Sequence, residues 1–404
     1  MGPPDAGDAV PEGGVTMRPQ AARVRSVYVH APFCVRRCVY CDFAVTVRST
    51  GDVDGWAQAL AAELALLDPA DALLADRLET VYVGGGTPSL LGPTAMRALA
   101  RVLGEDRLGA PELEWTAEAN PESFTPELGS AWRDAGVNRL SLGVQSFHEP
   151  TLRWMGRMHG AEGAVRAVGD AKAIGLTNAS IDLVFGLPAS LGRPWTEDLE
   201  RALELDVPHV SLYGLTVEPG TPLGRAVAEG KEPAVDDERY RDEFLEAADR
   251  LVCAGYEHYE VSNFARPGYA SRHNAVYWDG RPYLGLGNGA HSYVHPVRRW
   301  NVRDWGAYAP RALSGQSAEE GRERLDAAAE SLERTWLALR TREGLGLDGV
   351  TEDARVLAGR WEEAGLARVT GDHVRLTREG WLLLDRLAVE LDSLSAVPVG
   401  SAAG

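Results

Sequence analysis

The sequence predicts an α/β fold: a partial (β/α)6 TIM-like barrel followed by a small C-terminal winged-helix-like α+β domain. Three observations predict it. Short apolar strands alternate with amphipathic helical stretches in six successive units, the pattern of a parallel sheet closed or partly closed on itself. The strands end in polar or glycine-rich phrases, as in barrels that carry their site at the carboxyl ends of the strands. The last 85 or so residues then change to helices followed by a hairpin. A chain of 404 residues also exceeds what one core usually serves, so a large domain plus a smaller one is expected.

Residues 1–22 are rich in Gly, Pro, Ala and acid without periodicity, and read as a disordered tail. The barrel is expected over 23–255. Its first strand is the alternating run 24–29; the others are 80–83, 113–116, 139–142, 180–184 and 209–213. Trp56, Leu60, Leu64 and Leu67 share one helical face, and 236–253 reads as the sixth helix. Residues 256–261 read as an antiparallel or edge strand, opening a linker or extension over 256–318 that is rich in Gly, Tyr and His. In the C-terminal domain, 319–404, helices are expected at 325–339 and 352–364. A hairpin turns at Gly371-Asp372, and a last helix runs from 378 to about 391.

Three of the four cysteines fall in Tyr28-Val-His-Ala-Pro-Phe-Cys34-Val-Arg-Arg-Cys38-Val-Tyr-Cys41-Asp-Phe43, spaced C-x3-C-x2-C. The spacing is too tight for a disulfide framework, and thiolates converging on so short a turn suit a soft metal site. An iron–sulfur cubane wants four protein ligands, so three thiols leave one iron open to something else. Structural zinc on Cys34, Cys38, Cys41 and His30 is the alternative, although no second ligand pair follows downstream. Cys253 reads as a small buried apolar residue. Gly84-Gly85-Gly86-Thr87-Pro88 is a strand exit that a ligand can approach closely, and it lacks the Lys of a phosphate loop. Gly285-Leu-Gly287-Asn-Gly289 imitates a dinucleotide loop but lacks its register and its βαβ context.

Charge and patterning exclude several classes. Forty-one basic residues against 59 acidic ones give a net charge of −18, which opposes attraction to nucleic acid or an anionic membrane. The C-terminal domain, with 17 acids, 11 arginines and no lysine, suits partner docking or a lid better than duplex binding. The N-terminal residues do not form a signal peptide, and no apolar run is long enough to span a membrane. Clustered free thiols fit a reducing compartment, so a cytoplasmic location is expected.

The cysteine spacing, with an aromatic residue before Cys41 and Tyr-x-His ahead of Cys34, resembles the signature of radical S-adenosylmethionine (SAM) proteins. That resemblance implies a [4Fe-4S] cluster whose open iron is chelated by the amino and carboxylate groups of SAM. It also implies cleavage of the sulfonium by an electron from the cluster. Tyr28 to Cys34, Gly84 to Pro88, Glu118-Ala-Asn120-Pro121, Gln145-Ser146, Gly156-Arg157-Met-His159 and Ser180 to Asp182 occur in the order seen in oxygen-independent coproporphyrinogen III oxidases. By that resemblance Tyr28, Tyr40, Gly85, Gly86, Thr87, Glu118, Gln145, Arg157 and Asp182 line the SAM pocket. Carboxylates suit ribose hydroxyls and an ammonium, and a guanidinium suits a carboxylate. The bland reading of Glu118 and Asp182 is a pair of capping or solvated acids.

Two departures separate this chain from the oxidases. Phe43 stands where they carry a further Cys, and residues 1–22 read as a tail where they carry an ordered substrate arm. Both match instead the HemW-type branch, radical-SAM-like haem chaperones with Cys-x-Phe and His-Asn-x-x-Tyr-Trp, here Cys41-Asp-Phe43 and His273-Asn-Ala-Val-Tyr277-Trp278. The resemblance implies haem binding, transfer to acceptor proteins such as respiratory haem enzymes, and no assigned catalytic residue. Coproporphyrinogen decarboxylation is the alternative. Within that pattern His273 is the candidate haem contact, against the plain reading of a hydrogen-bonded loop histidine, with His291 as a second candidate.

Overall fold

Two-residue periodicity decides how the strands are used. In the computed structural model, which describes residues 23–395, β1 (Ser26–Ala31), β2 (Thr80–Gly85), β3 (Glu114–Ala119), β4 (Arg139–Gln145), β5 (Ala179–Phe185) and β6 (His209–Gly214) form successive parallel pairs. One set of alternate positions, including Val27, Val81, Trp115, Leu140, Ile181 and Val210, joins a single buried apolar cluster. The other set is polar: Tyr28, Tyr82, Glu118, Ser141, Asp182 and Ser211 lie on the opposite face. Apolar residues therefore turn outward to the helices, and polar ones line the interior.

The covering helices are α1 (Val53–Leu67), α2 (Ala95–Leu103), α3 (Pro126–Ala135), α4 (Gly160–Ala173), α5 (Trp195–Glu204) and α6 (Asp237–Cys253). Several start on side-chain caps: Asp52, Thr125 and Asp236 each accept a backbone N–H from the first turn. Such a cap contributes roughly 1 kcal/mol. Trp56 and Leu60 of α1 and Met96 and Leu99 of α2 are fully buried against the sheet. The predicted tail, 1–22, lies outside the described residues.

Residues 256–318 are not a linker. β7 (Glu257–Glu260) pairs antiparallel with β8 (Asn263–Ala265), which pairs antiparallel with β6, and β9 (Leu284–Leu286) pairs parallel with β1 at the other edge. The nine-stranded order is β9-β1-β2-β3-β4-β5-β6-β8-β7. β7 falls within the edge strand expected over 256–261, whereas β8 and β9, three residues each, carry too little period to be read from sequence; pairing with a preformed edge makes them. The glycine phrase 285–289 serves that edge. A Cβ on Gly285 would lie 2.0 Å from the His291 carbonyl oxygen, and the Gly287 N–H donates to buried Glu63 at 2.9 Å.

The C-terminal part packs Ala327–Leu339, Glu352–Glu363 and Leu384–Ser395 with a small sheet, around Leu339, Trp361, Val374 and Leu387. The hairpin is Ala367–Thr370 and His373–Leu376, and Leu345–Gly346 adds a third strand. The last helix is broken: Arg378–Trp381 is followed by Leu384–Ser395. This part is tied to β7 by backbone bonds from Val261 N–H to Arg340 O (3.2 Å) and Arg342 N–H to Tyr259 O (3.1 Å). Arg340 also pairs with buried Glu260 at 3.0 Å and lies over the Trp278 ring at 4.1 Å. Cys253, expected to be buried, is exposed at the end of α6.

Candidate functional site

The cysteine loop leaves the carboxyl end of β1. Phe33–Cys34 pairs in parallel with Thr46–Val47, which closes the loop on itself, and fully buried Phe33 anchors it edge-on against Trp305. Cys34, Cys38 and Cys41 are each part-exposed. The Cys34 and Thr87 side chains lie 3.3 Å apart, the Phe43 N–H donates to the Cys41 sulfur at 3.4 Å, and Arg157 approaches the Cys38 sulfur at 3.9 Å. Burial raises the Cys34 thiol to about 11 and also raises Cys41, so in the metal-free chain these two thiols hold their protons. An iron–sulfur cluster, whose cationic irons bind thiolates, would displace them.

His30, the fourth ligand of the zinc alternative, is already engaged. Its Nδ1 is 3.1 Å from the Tyr28 hydroxyl and its Nε2 is 2.9 Å from the Ala44 carbonyl oxygen. Burial lowers its pKa to about 4. Among the described residues no three His, Cys, Asp or Glu side chains converge on one ion. A cubane asks for no such convergence, since each thiolate binds a different iron, and the three-thiol set fits it.

The second strand exit sits beside this loop. Gly85 takes a φ of +105°, and a Cβ there would come within 2.2 Å of the His30 ring. A Cβ on Gly84 would stand 2.8 Å from the Glu118 carboxyl, and one on Gly86 would stand 2.6 Å from the Ala31 carbonyl oxygen. These glycines are thus demanded by the protein's own packing as well as by any ligand. The Gly85 N–H donates to Glu118 Oε2 at 3.0 Å, and the Tyr82 hydroxyl donates to Oε1 at 2.7 Å.

Glu118 is not a solvated cap. Burial raises its pKa to about 7, with Asp182 adding repulsion, while Tyr82 and the Gly85 N–H pull it back. Asp182, raised to about 6 chiefly by burial, accepts from Ser141 at 3.2 Å. Gln145 ends β4 at a register shift with a φ of +71°, a left-handed conformation rare outside glycine that re-aims its side chain. Its neighbour Ser146 is structural, donating to Asp198 at 2.6 Å.

Arg157 is the most connected residue of the group. It donates to Asn120 Oδ1 at 2.7 Å and to the Gly143 carbonyl at 2.5 Å, and its buried Nε has no partner. A buried guanidinium edge without an acceptor fits a ligand carboxylate. Burial raises the Tyr40 and Tyr28 phenols, with Arg157 opposing the rise at Tyr40 and Glu118 adding to it at Tyr28. Tyr28, Tyr40, Gly85, Gly86, Thr87, Glu118, Gln145, Arg157 and Asp182 therefore lie around the carboxyl ends of the strands with the three cysteines. Asn120, quoted in its motif without a role, belongs with them, as do Tyr82 and Tyr213, which were not singled out from sequence. Asn120 Nδ2 donates to Thr87 at 3.3 Å, which joins the Cys34 side to Arg157. The polar alternate positions of each strand were the signal that could have found the two tyrosines.

His273 lies elsewhere, packed against the barrel rather than open to a ligand as the haem-contact expectation requires. It sits in α7 (Arg272–Trp278), fully buried, against Thr80 at the amino end of β2. Nδ1 is 2.8 Å from Thr80 Oγ1 and Nε2 is 2.9 Å from the Tyr277 hydroxyl; the ring stacks on Tyr82 at 5.2 Å. Burial lowers its pKa to about 3. Neither nitrogen is available as a haem ligand in this arrangement, so the hydrogen-bonded reading describes it. His291 is exposed and stacks on Trp300 at 5.8 Å.

Residues 28–205 match the family model for the Radical SAM superfamily. Heme chaperone HemW of Mycobacterium tuberculosis is 40% identical over 374 residues, spanning 91% of this chain and 95% of that protein. Heme chaperone HemW of Escherichia coli is 39% identical over 272 residues, spanning 67% of this chain and 70% of that protein. Among solved structures, coproporphyrinogen III oxidase (HemN) of Escherichia coli superposes with a TM-score of 0.77 over 92% of this chain and 90% of that one. Its 23% identity shows a shared fold alone. The barrel with its three-cysteine loop, together with the extent of these identities, shows that the chain belongs to the heme chaperone HemW family within the Radical SAM superfamily.

Proposed function

We propose that this chain binds haem and passes it to acceptor proteins, with respiratory haem enzymes as the expected class. We further propose that it carries a [4Fe-4S] cluster on Cys34, Cys38 and Cys41 and a SAM molecule in the adjoining pocket. The Radical SAM family implies the cluster and SAM; the names of the relatives support haem. The observation that carries the reading is Phe43, two positions past the third cysteine. It offers no thiolate, stands 62% exposed, and gives only its backbone N–H to Cys41.

The chain's own residues divide the work. Arg157 presents its unpartnered Nε to a carboxylate, Glu118 and Asp182 offer carboxyls to an ammonium or to ribose hydroxyls, and the Gly84–Gly86 backbone keeps side chains out of the way. The cluster, when bound, supplies a low-potential electron and an open coordination position. Because Glu118 and Asp182 are held near neutral pH by burial, each can be neutral or charged at physiological pH, and a cationic ligand favours the charged forms.

The second reading is the decarboxylase, supported by the strand-end motifs that this chain carries in the same order as the oxidases. One anaerobic experiment separates the two. Reconstituted protein is titrated with haem and, separately, incubated with coproporphyrinogen III, SAM and a reductant. Saturable haem binding without porphyrinogen consumption is the expected result. Steady conversion of coproporphyrinogen III would overturn the reading.

A further inference from the structure

Apolar side chains are concentrated on the outer surface of the cysteine loop, where packing does not require them. Val35, Phe43 and Val47 are 42%, 62% and 56% exposed. Backbone pairing holds them together: Val47 lies opposite Cys34, next to Val35, and the Val45 N–H donates to the Phe43 carbonyl at 2.9 Å. Their charge context is also out of keeping with the chain. Residues 34–48 carry Arg36, Arg37 and Arg48 against the single acid Asp42, in a molecule whose net charge is −18. Arg48 pairs with Asp52, and Asp42 is taken by Arg303. Arg36 and Arg37 have no carboxylate partner among the described residues. Arg37 Nη2 donates to the carbonyl of Val45, two residues along the chain from both Phe43 and Val47, at 3.3 Å. Arg36 lies on the Arg157 side, its Cδ 3.7 Å from where a Cβ on Gly156 would stand.

The ligand class follows from this pairing of exposed apolar side chains with two arginines that lack carboxylate partners among the described residues. Resting on the haem-binding reading above, we propose that this outer face of the cysteine loop docks the porphyrin. The ring lies on Phe43 and Val47, and the propionates are met by Arg37 and Arg36. Aromatic and aliphatic side chains suit a porphyrin plane, and guanidinium groups suit carboxylates. The alternatives inside the fold are poorer. The interior of the sheet is walled by Tyr82, Glu118 and Asp182, which suit a polar ligand, and both nitrogens of His273 are bonded. In a chain of net charge −18, the local basic excess of this loop also favours a dianion.

The test uses the full chain with its cluster reconstituted anaerobically. Haem, and haem dimethyl ester as a probe lacking free carboxylates, are each titrated by absorbance. Phe43→Ser and Val47→Ser are expected to weaken haem binding about tenfold, through lost apolar contact. Arg37→Gln is expected to weaken haem several-fold while leaving the ester unchanged. Iron and sulfide content is measured in each variant. Should Phe43→Ser lose its cluster, Val47→Ser and Arg37→Gln decide, because neither replaces a residue hydrogen-bonded to a thiol. Haem affinities within twofold of wild type in those two variants overturn the docking face alone. The same holds for variants that keep haem affinity but lose transfer to an acceptor, which would assign this face to the protein partner. No haem binding by the wild type overturns the haem-binding reading and this face with it.

Discussion

Replacing His273 with Ala distinguishes a haem ligand from a structural imidazole. The side chain joins Thr80 at 2.8 Å and Tyr277 at 2.9 Å, both in buried surroundings. Removal strands two hydroxyls, each at a cost of about 1–3 kcal/mol unless it turns to a new partner. It also vacates the space between Tyr82, stacked at 5.2 Å, and Tyr277, edge-on at 5.3 Å. Together these give an expected loss of about 3–5 kcal/mol, a large share of the stability of a typical domain.

The pH dependence carries its own sign. Burial holds His273 near 3, below the ordinary value of 6.5, so the unfolded chain takes up a proton that the folded one refuses. Stability from this group is therefore complete above 6.5 and falls as pH drops from 6.5 toward 3, with a limiting slope of about 1.4 kcal/mol per pH unit. His273→Ala should lose that component, leaving the like contributions of buried His30 and His258. Urea unfolding of wild type and variant at pH values from 5 to 8 measures both effects, with haem affinity measured alongside. A variant as stable as wild type that binds haem tenfold more weakly would refute the structural role.

Four further outcomes are expected. Cys38→Ser should abolish cluster reconstitution, read as iron and sulfide per chain, whereas exposed Cys253→Ser should leave it unchanged. SAM binding by calorimetry should strengthen as pH rises through 7, where Glu118 gains its charge; Glu118→Gln should flatten that profile and cost about 1–3 kcal/mol. Gly85→Ala should destabilise the apoprotein, because its φ of +105° and a Cβ 2.2 Å from the His30 ring cannot both be relieved, and thermal unfolding checks this. Arg340→Ala should cost about 3–5 kcal/mol by denaturation, since it leaves Glu260 buried without its counter-charge.

By itself the sequence determined the barrel and the residues at its mouth. Strands in the apolar sheet alternate strictly between core and interior, so residues such as Val27 and Tyr28 declare their faces two at a time. Three cysteines in one loop likewise declare a site without help from the rest of the chain. What local pattern cannot carry is the identity of a distant neighbour. His273 was read as a candidate haem contact because Thr80, 193 positions away and bonded to its Nδ1, is invisible from its own segment. The short strands β8 and β9 form only because β6 and β1 offer unpaired edges. The glycines at 84–86 were assigned to a ligand when His30, Glu118 and Ala31 already require them. Burial decided the rest: the same carboxyl that reads as a solvated cap in the sequence becomes, at Glu118, an acid poised near neutrality once the fold has removed its water.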